Sequence, residues 1–391
     1  MPSQKILIVD DEPFNIDFLE QELEELNYAT FAASNGLEAL NQVSKESPDL
    51  ILLDIMMPVM DGFEVLKRLK DNPGTRDIPV IIISANNDLK GVVKGIELGA
   101  EDYLPKPFEP TLLHARISAC LVKKQLLDLQ KKYLKSLERE FEIAHEIQMG
   151  FLPAELPILE GWEVAAYFKA AREVAGDYYD AFLLPNGNLF CTVGDVCGKG
   201  IGAALFMTLF RSLVRATATY SFSYQTTTQS VFSAGEILKH VVSFTNKYVT
   251  ETHGDESTFS TLFVGIFDIL SGNLTYINCG NEPPLLLRKD KIIIPLNSTG
   301  PVVGVFPEAN FLIAETTMSC GDLLLVFTDG IPDALDEDGI SFGKDQIYKL
   351  LDENELPPSL FLRKITELLL QFTNNTNQFD DITLVVVKRN A

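Results

Sequence analysis

Cysteine, histidine and tryptophan are all scarce in this chain. Five cysteines are scattered over 391 residues and none forms a CxxC pair. Their odd number and their small or apolar neighbours read as buried free thiols of a reducing compartment, which excludes a disulfide framework. The four histidines (His114, His145, His240, His253) lie far apart. That dispersal excludes a histidine-rich zinc site and offers no Ser-His or Cys-His couple. No apolar run reaches the roughly 18–20 residues that span a bilayer. There is also no signal peptide, since Lys5-Ile-Leu-Ile-Val-Asp10 already reads as a strand. A cytoplasmic protein with no membrane partner is expected. Basic residues are outnumbered too, 32 Lys and Arg against 55 Asp and Glu, for a formal net charge of −23. The acidic surplus falls on both the N-terminal and the C-terminal parts, so nucleic acid is not an expected partner.

What the chain has in plenty is aspartate, placed in short motifs. A length of 391 residues exceeds one ordinary core and calls for more than one domain. Residues 1–120 alternate strand and helix signals. Short, continuously apolar runs at 5–9, 50–53 and 80–83 suit strands buried on both faces. Between the first two, Ile16, Leu19, Leu23 and Leu26 recur at helical spacing. Weaker strands are expected at 28–32 and 102–104, giving five parallel strands covered by helices on both faces. Residues 121–150 form a helical linker. The stretch 111–148 contains no Gly or Pro, and Leu134, Leu137, Phe141 and Ala144 follow the 3-4-3 spacing of a coiled coil. Lys123 and Gln130 fall in the same register, so a plain spacer helix stays open beside a coiled coil that pairs two chains. Residues 151–391 change style. Strand signals dominate at 163–168, 189–193, 262–269, 274–278, 323–327 and 382–387, with helices near 201–218 and 233–250. The Ser/Thr-rich 219–230 and Asn374-Asn375-Thr376-Asn377 read as loops.

In an open parallel sheet, chemistry gathers at the carboxyl ends of the strands. Asp10 and Asp11, Asp54, Ser84 and Lys106 all fall at such ends. Three carboxylates brought together repel one another unless a cation sits among them, and hard oxygen ligands favour Mg²⁺. A lysine beside them can neutralise a phosphoryl oxygen. The set Asp10-Asp11-Glu12, Asp54-Ile-Met-Met-Pro58-Val-Met-Asp61-Gly62, Ser84-Ala85 and Lys106-Pro107-Phe108 resembles the receiver domain of two-component response regulators. The resemblance implies a flavodoxin-like, doubly wound α/β fold. It makes Asp54 the phosphoacceptor and places one Mg²⁺ on Asp10, Asp11, Asp54 and the Met56 carbonyl. Ser84 and Tyr103 would switch on phosphorylation, Lys106 would contact the phosphoryl group, and a sensor histidine kinase or phosphotransfer protein would be the donor.

Four more aspartate motifs recur at wide spacing: Ala175-Gly-Asp177-Tyr-Tyr-Asp180, Gly194-Asp195-Val-Cys-Gly198, Thr328-Asp329-Gly330 and Asp380-Asp381-Ile-Thr383. Three adjoin strand signals, so neighbouring strands can bring these carboxylates to one sheet edge. Clustered carboxylates without a side-chain nucleophile point to a pair of hard metal ions and an activated water. With Glu142-Ile-Ala-His-Glu-Ile-Gln148, Leu152-Pro153, Thr258-Phe-Ser-Thr261 and Gly300-Pro-Val-Val-Gly304, residues 140–390 resemble the metal-dependent protein phosphatases (PPM family), in their bacterial sporulation and stress-regulator branch. Ala175, Asn281 and Asp333 depart from the branch's usual Gly, His and Glu.

That resemblance implies an α+β domain, an antiparallel β-sandwich flanked by helices, holding two Mn²⁺ or Mg²⁺ ions. Asp195 would bridge both ions and the Val196 carbonyl would add a ligand. Asp329 and Asp380 would complete one shell, with Asp177 serving the other ion. Asp180 and Asp381 are either ligands or structural. Arg172 and Lys199 are either contacts to the substrate phosphate or solvated loop residues. The substrate implied is a phosphoserine or phosphothreonine protein, within this branch an anti-sigma-factor antagonist of the STAS type in a partner-switching pathway. The whole then reads as a response regulator with a phosphatase output, dimeric through its linker helix. The alternative is a non-catalytic phosphoprotein-binding module gated by the receiver.

Overall fold

The computed structural model describes residues 4–85, 89–228, 233–254, 258–374, 378 and 380–390. The chain divides into two compact units, Met1–Glu138 and Arg139–Ala391.

The first unit alternates β1 (Lys5–Val9), α1 (Pro13–Glu25), β2 (Ala29–Ala33), α2 (Gly36–Glu46), β3 (Leu50–Asp54), α3 (Gly62–Asp71), β4 (Val80–Ala85), α4 (Leu89–Glu97) and β5 (Asp102–Lys106). The strands form one parallel sheet in the order β2-β1-β3-β4-β5. All five residues of β3 are buried, as its unbroken apolar run requires of a strand covered on both faces. One core lies on each side of the sheet. Leu7, Val9, Leu53 and Leu66 belong to one, and Ile8, Leu52, Leu113 and Ile117 to the other. Helix starts are capped locally. Asn35 and Asp61 accept the backbone N–H of Glu38 and Glu64, satisfying donors that a first helical turn leaves free. Gly62 is glycine for a steric reason: a Cβ there would strike the Asp54 carbonyl oxygen. The chain then enters α5 (Pro110–Met149), a continuous 40-residue helix that begins in this unit and whose last residues belong to the second.

The second unit contains β6 (Trp162–Lys169), β7 (Tyr178–Leu183), β8 (Leu189–Val196), α6 (Ile201–Thr228), α7 (Ala234–His253), β9 (Ser260–Phe267), β10 (Asn273–Cys279), β11 (Leu285–Leu287), β12 (Ile293–Pro295), β13 (Ala314–Thr317), β14 (Leu323–Phe327), α8 (Lys344–Asp352), α9 (Pro358–Phe372) and β15 (Ile382–Arg389). Two antiparallel sheets, β13-β10-β9-β8-β7 and β12-β11-β14-β15-β6, pack face to face. Their shared core holds Val193 and Phe263 from one sheet and Leu324, Val326 and Val385 from the other. Helices α6 and α7 cover the outer face of the first sheet through Met207, Phe210, Leu238 and Val241. Helices α8 and α9 cover the second through Ile347, Leu351, Phe361 and Ile365.

Several elements depart from expectation. Helix α6 runs on to Thr228, so 219–228 is helix and not loop, and 229–230 lie outside the described residues. Asn374 sits in a turn, while Asn375, Thr376 and Asn377 lie outside the described residues. Helices α8 and α9 were not anticipated, nor were strands β7, β11, β12 and β13. The expectation of no membrane-length apolar stretch also needs correction. The Ile201–Ser221 part of α6 is long and apolar enough to cross a bilayer, with mean hydropathy 1.3 and 39% of that stretch buried. Its apolar side, Ala203, Met207, Phe210 and Val214, packs in the domain core, which accounts for its composition.

Candidate metal and phosphoryl sites

In the first unit the ends of β1 and β3 place Asp10, Asp11 and Asp54 so that one carboxylate oxygen from each lies within 4.8 Å of the others. Asp10 is fully buried and Asp54 nearly so, whereas Asp11 faces solvent. Lys106, the last residue of β5, spans two of them, its Nζ 3.0 Å from Asp10 Oδ2 and 3.1 Å from Asp54 Oδ2. Burial pushes the Asp54 carboxyl upward and Lys106 draws it part of the way back. Asp10 is further fixed by the Glu12 N–H at 3.0 Å and by Asn15 Nδ2, which donates to both its oxygens at 2.9 and 3.1 Å. Asn15 had no place in the sequence reading, because it occupies an ordinary position on the first turn of α1. Ser84 is buried near the end of β4. Tyr103, on β5, is half-buried with the Arg116 guanidinium 4.8 Å over its ring. The Met56 side chain is exposed.

In the second unit the aspartates come from both sheets. Asp177 precedes β7 and Asp195 lies near the end of β8, in the first sheet; Asp329 follows β14 and Asp380 precedes β15, in the second. Two glycines permit the approach. A Cβ at Gly330 would strike the Asp381 carbonyl oxygen, and one at Gly176 would come within 2.8 Å of the Val196 carbonyl oxygen. Asp177 is 2% exposed, and its Oδ2 accepts from Thr328 Oγ1 at 2.7 Å and Thr383 Oγ1 at 2.6 Å. Thus hydroxyls of the second sheet tie down a carboxylate of the first. Both threonines stood inside quoted motifs without a role; only the register of β14 on β15 reveals that they converge.

The electrostatics are those of unneutralised carboxylates. Burial, then Asp195 and Asp381, push Asp177 well above the carboxylate range. Burial, then Asp329, Asp380 and Asp381, push Asp195 up to about 7. Burial, then Asp380, Asp333 and Glu282, raise Asp329. A site made of hard oxygen donors, with mutual repulsion this strong, fits divalent cations such as Mg²⁺ or Mn²⁺. The arrangement is more open than the first. Among the described residues, only Asp10, Asp11 and Asp54 bring three ligand atoms within 4.8 Å of one another. Such spread suits ligands shared between two ions.

The remaining candidates separate by contact. Lys199 Nζ stands 2.9 Å from Asp380 Oδ2. Arg172 is exposed in the loop before Asp177. Asp381 turns its oxygens to backbone, accepting the N–H of Ala171 at 2.8 Å and of Gly176 at 2.6 Å. Asp180 is fully buried against Arg215 at 2.7 Å and Arg211 at 2.8 Å. Asn281 donates to the Phe327 carbonyl at 3.2 Å, two residues before Asp329.

Comparison with known proteins matches residues 185–390 to the Stage II sporulation protein E (SpoIIE) family and residues 6–118 to the response regulator receiver domain. The chain is 39% identical over 263 residues to Protein IcfG of Synechocystis sp., a match covering 64% of this chain and 42% of IcfG. It is 40% identical over 124 residues to the alkaline phosphatase synthesis transcriptional regulatory protein PhoP of Bacillus subtilis, covering 32% of this chain and 51% of PhoP. The chain therefore spans about half or less of the length of these relatives. Among solved structures, the SiaA-PP2C domain of Pseudomonas aeruginosa shares the fold with a TM-score of 0.54 at 19% identity, over 66% of this chain and 98% of that one.

Proposed function

Because this chain belongs to the Stage II sporulation protein E (SpoIIE) family and carries a response regulator receiver domain ahead of the matched region, we propose that it is a response regulator whose output is a metal-dependent serine/threonine protein phosphatase. The observation that carries the reading is the approach of Asp177, Asp195, Asp329 and Asp380 from two sheets, with the carboxyls of Asp177, Asp195 and Asp329 raised and no side-chain nucleophile among the four.

Two Mn²⁺ or Mg²⁺ ions, when bound, would neutralise phosphoryl oxygens and lower the pKa of an attacking water. Asp195, which feels Asp177 of the first sheet and Asp329 and Asp380 of the second, is the carboxylate best placed to be shared, with the Val196 carbonyl beside it. Asp329 and Asp380 would hold one ion and Asp177 the other. Thr328 and Thr383 occupy Asp177 Oδ2 and so fix the direction in which Oδ1 is offered. Lys199, held on Asp380, and the exposed Arg172 are the candidates for contact with the substrate phosphate. In the receiver, Asp54 would accept the phosphoryl group, Asp10, Asp11, Asp54 and the Met56 carbonyl would hold Mg²⁺, and Lys106 would meet a phosphoryl oxygen. Ser84 and Tyr103 then respond.

The proposed donor is a sensor histidine kinase or phosphotransfer protein. The proposed substrate is a phosphoserine or phosphothreonine protein, a STAS-type anti-sigma-factor antagonist in a partner-switching pathway. Domains of 1–120 and 151–391 flank a linker of 121–150. Exposed Leu127 and Leu134 on α5, in register with Leu137, Phe141 and Ala144, support a homodimeric coiled coil. The setting proposed is cytoplasmic, without nucleic acid or membrane.

The test is phosphate release from a phosphorylated STAS protein and from an aryl phosphate, with and without Mn²⁺. Release should require the ion and vanish in Asp195→Ala. Tight capture of the phosphoprotein without release would instead identify a binding module.

A further inference from the structure

Helix α6 is 28 residues long, and its charged residues are two arginines with no acid beside them in the helix. Arg211 and Arg215 stand four apart and so share one helix face. In a chain of net charge −23, one carboxylate answers both. Asp180 of β7 is fully buried, its Oδ2 2.8 Å from Arg211 Nη2. Its two oxygens accept from Arg215 Nη1 at 2.7 and 2.9 Å. Asp180 thus engages one terminal nitrogen of each guanidinium, and two positive charges share a single negative one.

A guanidinium carries five N–H donors, and those that remain differ in setting. The Nε of Arg211 is buried and has no hydrogen-bond partner among the described residues. Burial pushes Arg211 down from the usual arginine range; Asp180 opposes that shift and Arg215 adds to it. The Arg215 side chain is 40% exposed, and its Cζ lies 4.3 Å from the centre of the Phe182 ring, which orients the planar fork. Beside the pair is an open depression of about 480 Å³, lined by Arg211, Ser212, Arg215, Ala216, Thr219 and Tyr220. Both charged residues of its wall are cationic, while Asp180 lies beneath them without exposed surface. Such a volume admits a phosphate group with a small body attached. The exposed Tyr220 ring stands five residues beyond Arg215, about 7.5 Å further along the helix axis.

We propose that this depression is an anion site that takes a phosphate group. Arg215 makes the direct hydrogen bonds, Arg211 supplies the second positive charge and Ser212 adds a hydroxyl. A planar fork of N–H donors matches two oxygens of a tetrahedral oxyanion, which a spherical halide does not offer. A bound phosphate also relieves the repulsion between the arginines that one carboxylate offsets only in part. A pin between β7 and α6 is complete with a single arginine on Asp180; the second arginine and the hollow beside it are what that role leaves over. Both arginines meet Asp180 and, among the described residues, neither meets Asp177, Asp195, Asp329 or Asp380, so the inference stands independently of the proposed catalytic site.

The full chain, labelled with nitrogen-15 arginine and kept metal-free by a chelator, is titrated with inorganic phosphate, with phenyl phosphate and with sodium chloride at matched ionic strength. The arginine Nε–H resonances are followed by nuclear magnetic resonance, those of Arg211 and Arg215 being assigned through Arg211→Lys and Arg215→Lys. Both phosphates should move the two signals saturably, and chloride should not. Tighter binding of phenyl phosphate identifies the ligand as an ester whose planar body reaches toward Tyr220; equal affinity identifies it as free phosphate. Read at the Arg211 signal, Arg215→Gln should weaken phosphate by about tenfold or more and Ser212→Ala by about fivefold. Ser212→Ala carries the test if Arg215→Gln fails to fold. Shifts that grow linearly and match those in chloride overturn the proposal and leave the arginines a structural pin on Asp180. Wild-type phosphate affinity in the folded variant overturns it equally.

Discussion

The two aspartate clusters of this chain differ in how their charge is balanced. At the receiver, Lys106 bridges Asp10 and Asp54, and Asn15 and the Glu12 N–H occupy Asp10 further. The site carries its own counter-charge and is compact enough for three ligand atoms to meet. At the second cluster, Lys199 stands on Asp380 at the rim, and burial and mutual repulsion raise Asp177, Asp195, Asp329 and Asp381 together. The same residue type thus serves two ends. A built-in lysine would suit the proposed task of holding a phosphoryl group on Asp54. Uncompensated carboxylates suit a site whose neutralisation is left to ions.

The largest effect should come from crossing the two sites. Asp329→Asn should reduce phosphate release on the order of a thousandfold or more, since charge stabilisation by a bound metal is worth several kcal/mol in the transition state. Asp54→Asn should leave metal-dependent release measurable but remove its response to acetyl phosphate. Steady-state assays with and without the acyl donor check both. An equal response in wild type and Asp54→Asn would separate the receiver from control of the output.

A second break falls on the threonines that tie the sheets together. In Thr328→Val/Thr383→Val, Asp177 Oδ2 loses both hydroxyl donors, and the Thr383 N–H loses its Thr328 oxygen as well. Mn²⁺ affinity by calorimetry should fall by about 10–100-fold. These residues mark what the sequence could and could not disclose. The aspartates were legible because Gly-Asp pairs recur beside strands, and the receiver set because its residues fall at successive strand ends. The supports were not: Thr328, Thr383 and Asn15 act through register and helix placement, which spacing does not reveal. Helix α9 was legible in principle, since Phe361, Leu362, Ile365 and Leu369 keep helical period and are all buried. It was hidden by the strand-rich style around it. The Ser/Thr content of 219–228 suggested a loop, yet the helix continues there, tertiary context overriding propensity.

The balance of charge also predicts opposite pH behaviour with and without metal. Asp195 is raised from 3.8 to about 7. A carboxyl raised on folding favours the fold where it is protonated, so the metal-free protein should lose stability at this group as pH climbs from about 4 through about 7 and change no further above that. Metal binding must displace the proton, so below about pH 7 the Mn²⁺ affinity should drop by about tenfold per pH unit for each proton released. Asp195→Asn should flatten the first dependence and raise the metal-free Tm above pH 7, while weakening Mn²⁺ binding. Thermal melts across pH with and without Mn²⁺ decide it, and a metal-free Tm in Asp195→Asn equal to wild type at pH 8 would contradict the repulsion argument.

The smallest effect should be at Asn15. Its side chain donates to both oxygens of Asp10, as the two threonines donate to Asp177, but the settings differ. Asp10 keeps Lys106 and the Glu12 N–H when Asn15 is cut back, whereas the Asp177 oxygen loses both of its hydroxyl donors in the double variant. One amide donor removed from a carboxylate that retains two other partners costs roughly 1 kcal/mol, which is about fivefold in an equilibrium constant. Asn15→Ala should therefore weaken Mg²⁺ at the receiver by about that factor and slow Asp54 phosphorylation by acetyl phosphate at limiting Mg²⁺. Phosphatase-site Mn²⁺ affinity should not change. A loss as large as that of the threonine variant would mean that Lys106 does not hold Asp10 in place, and the contrast between a self-balanced site and an ion-balanced one would fail at its first term.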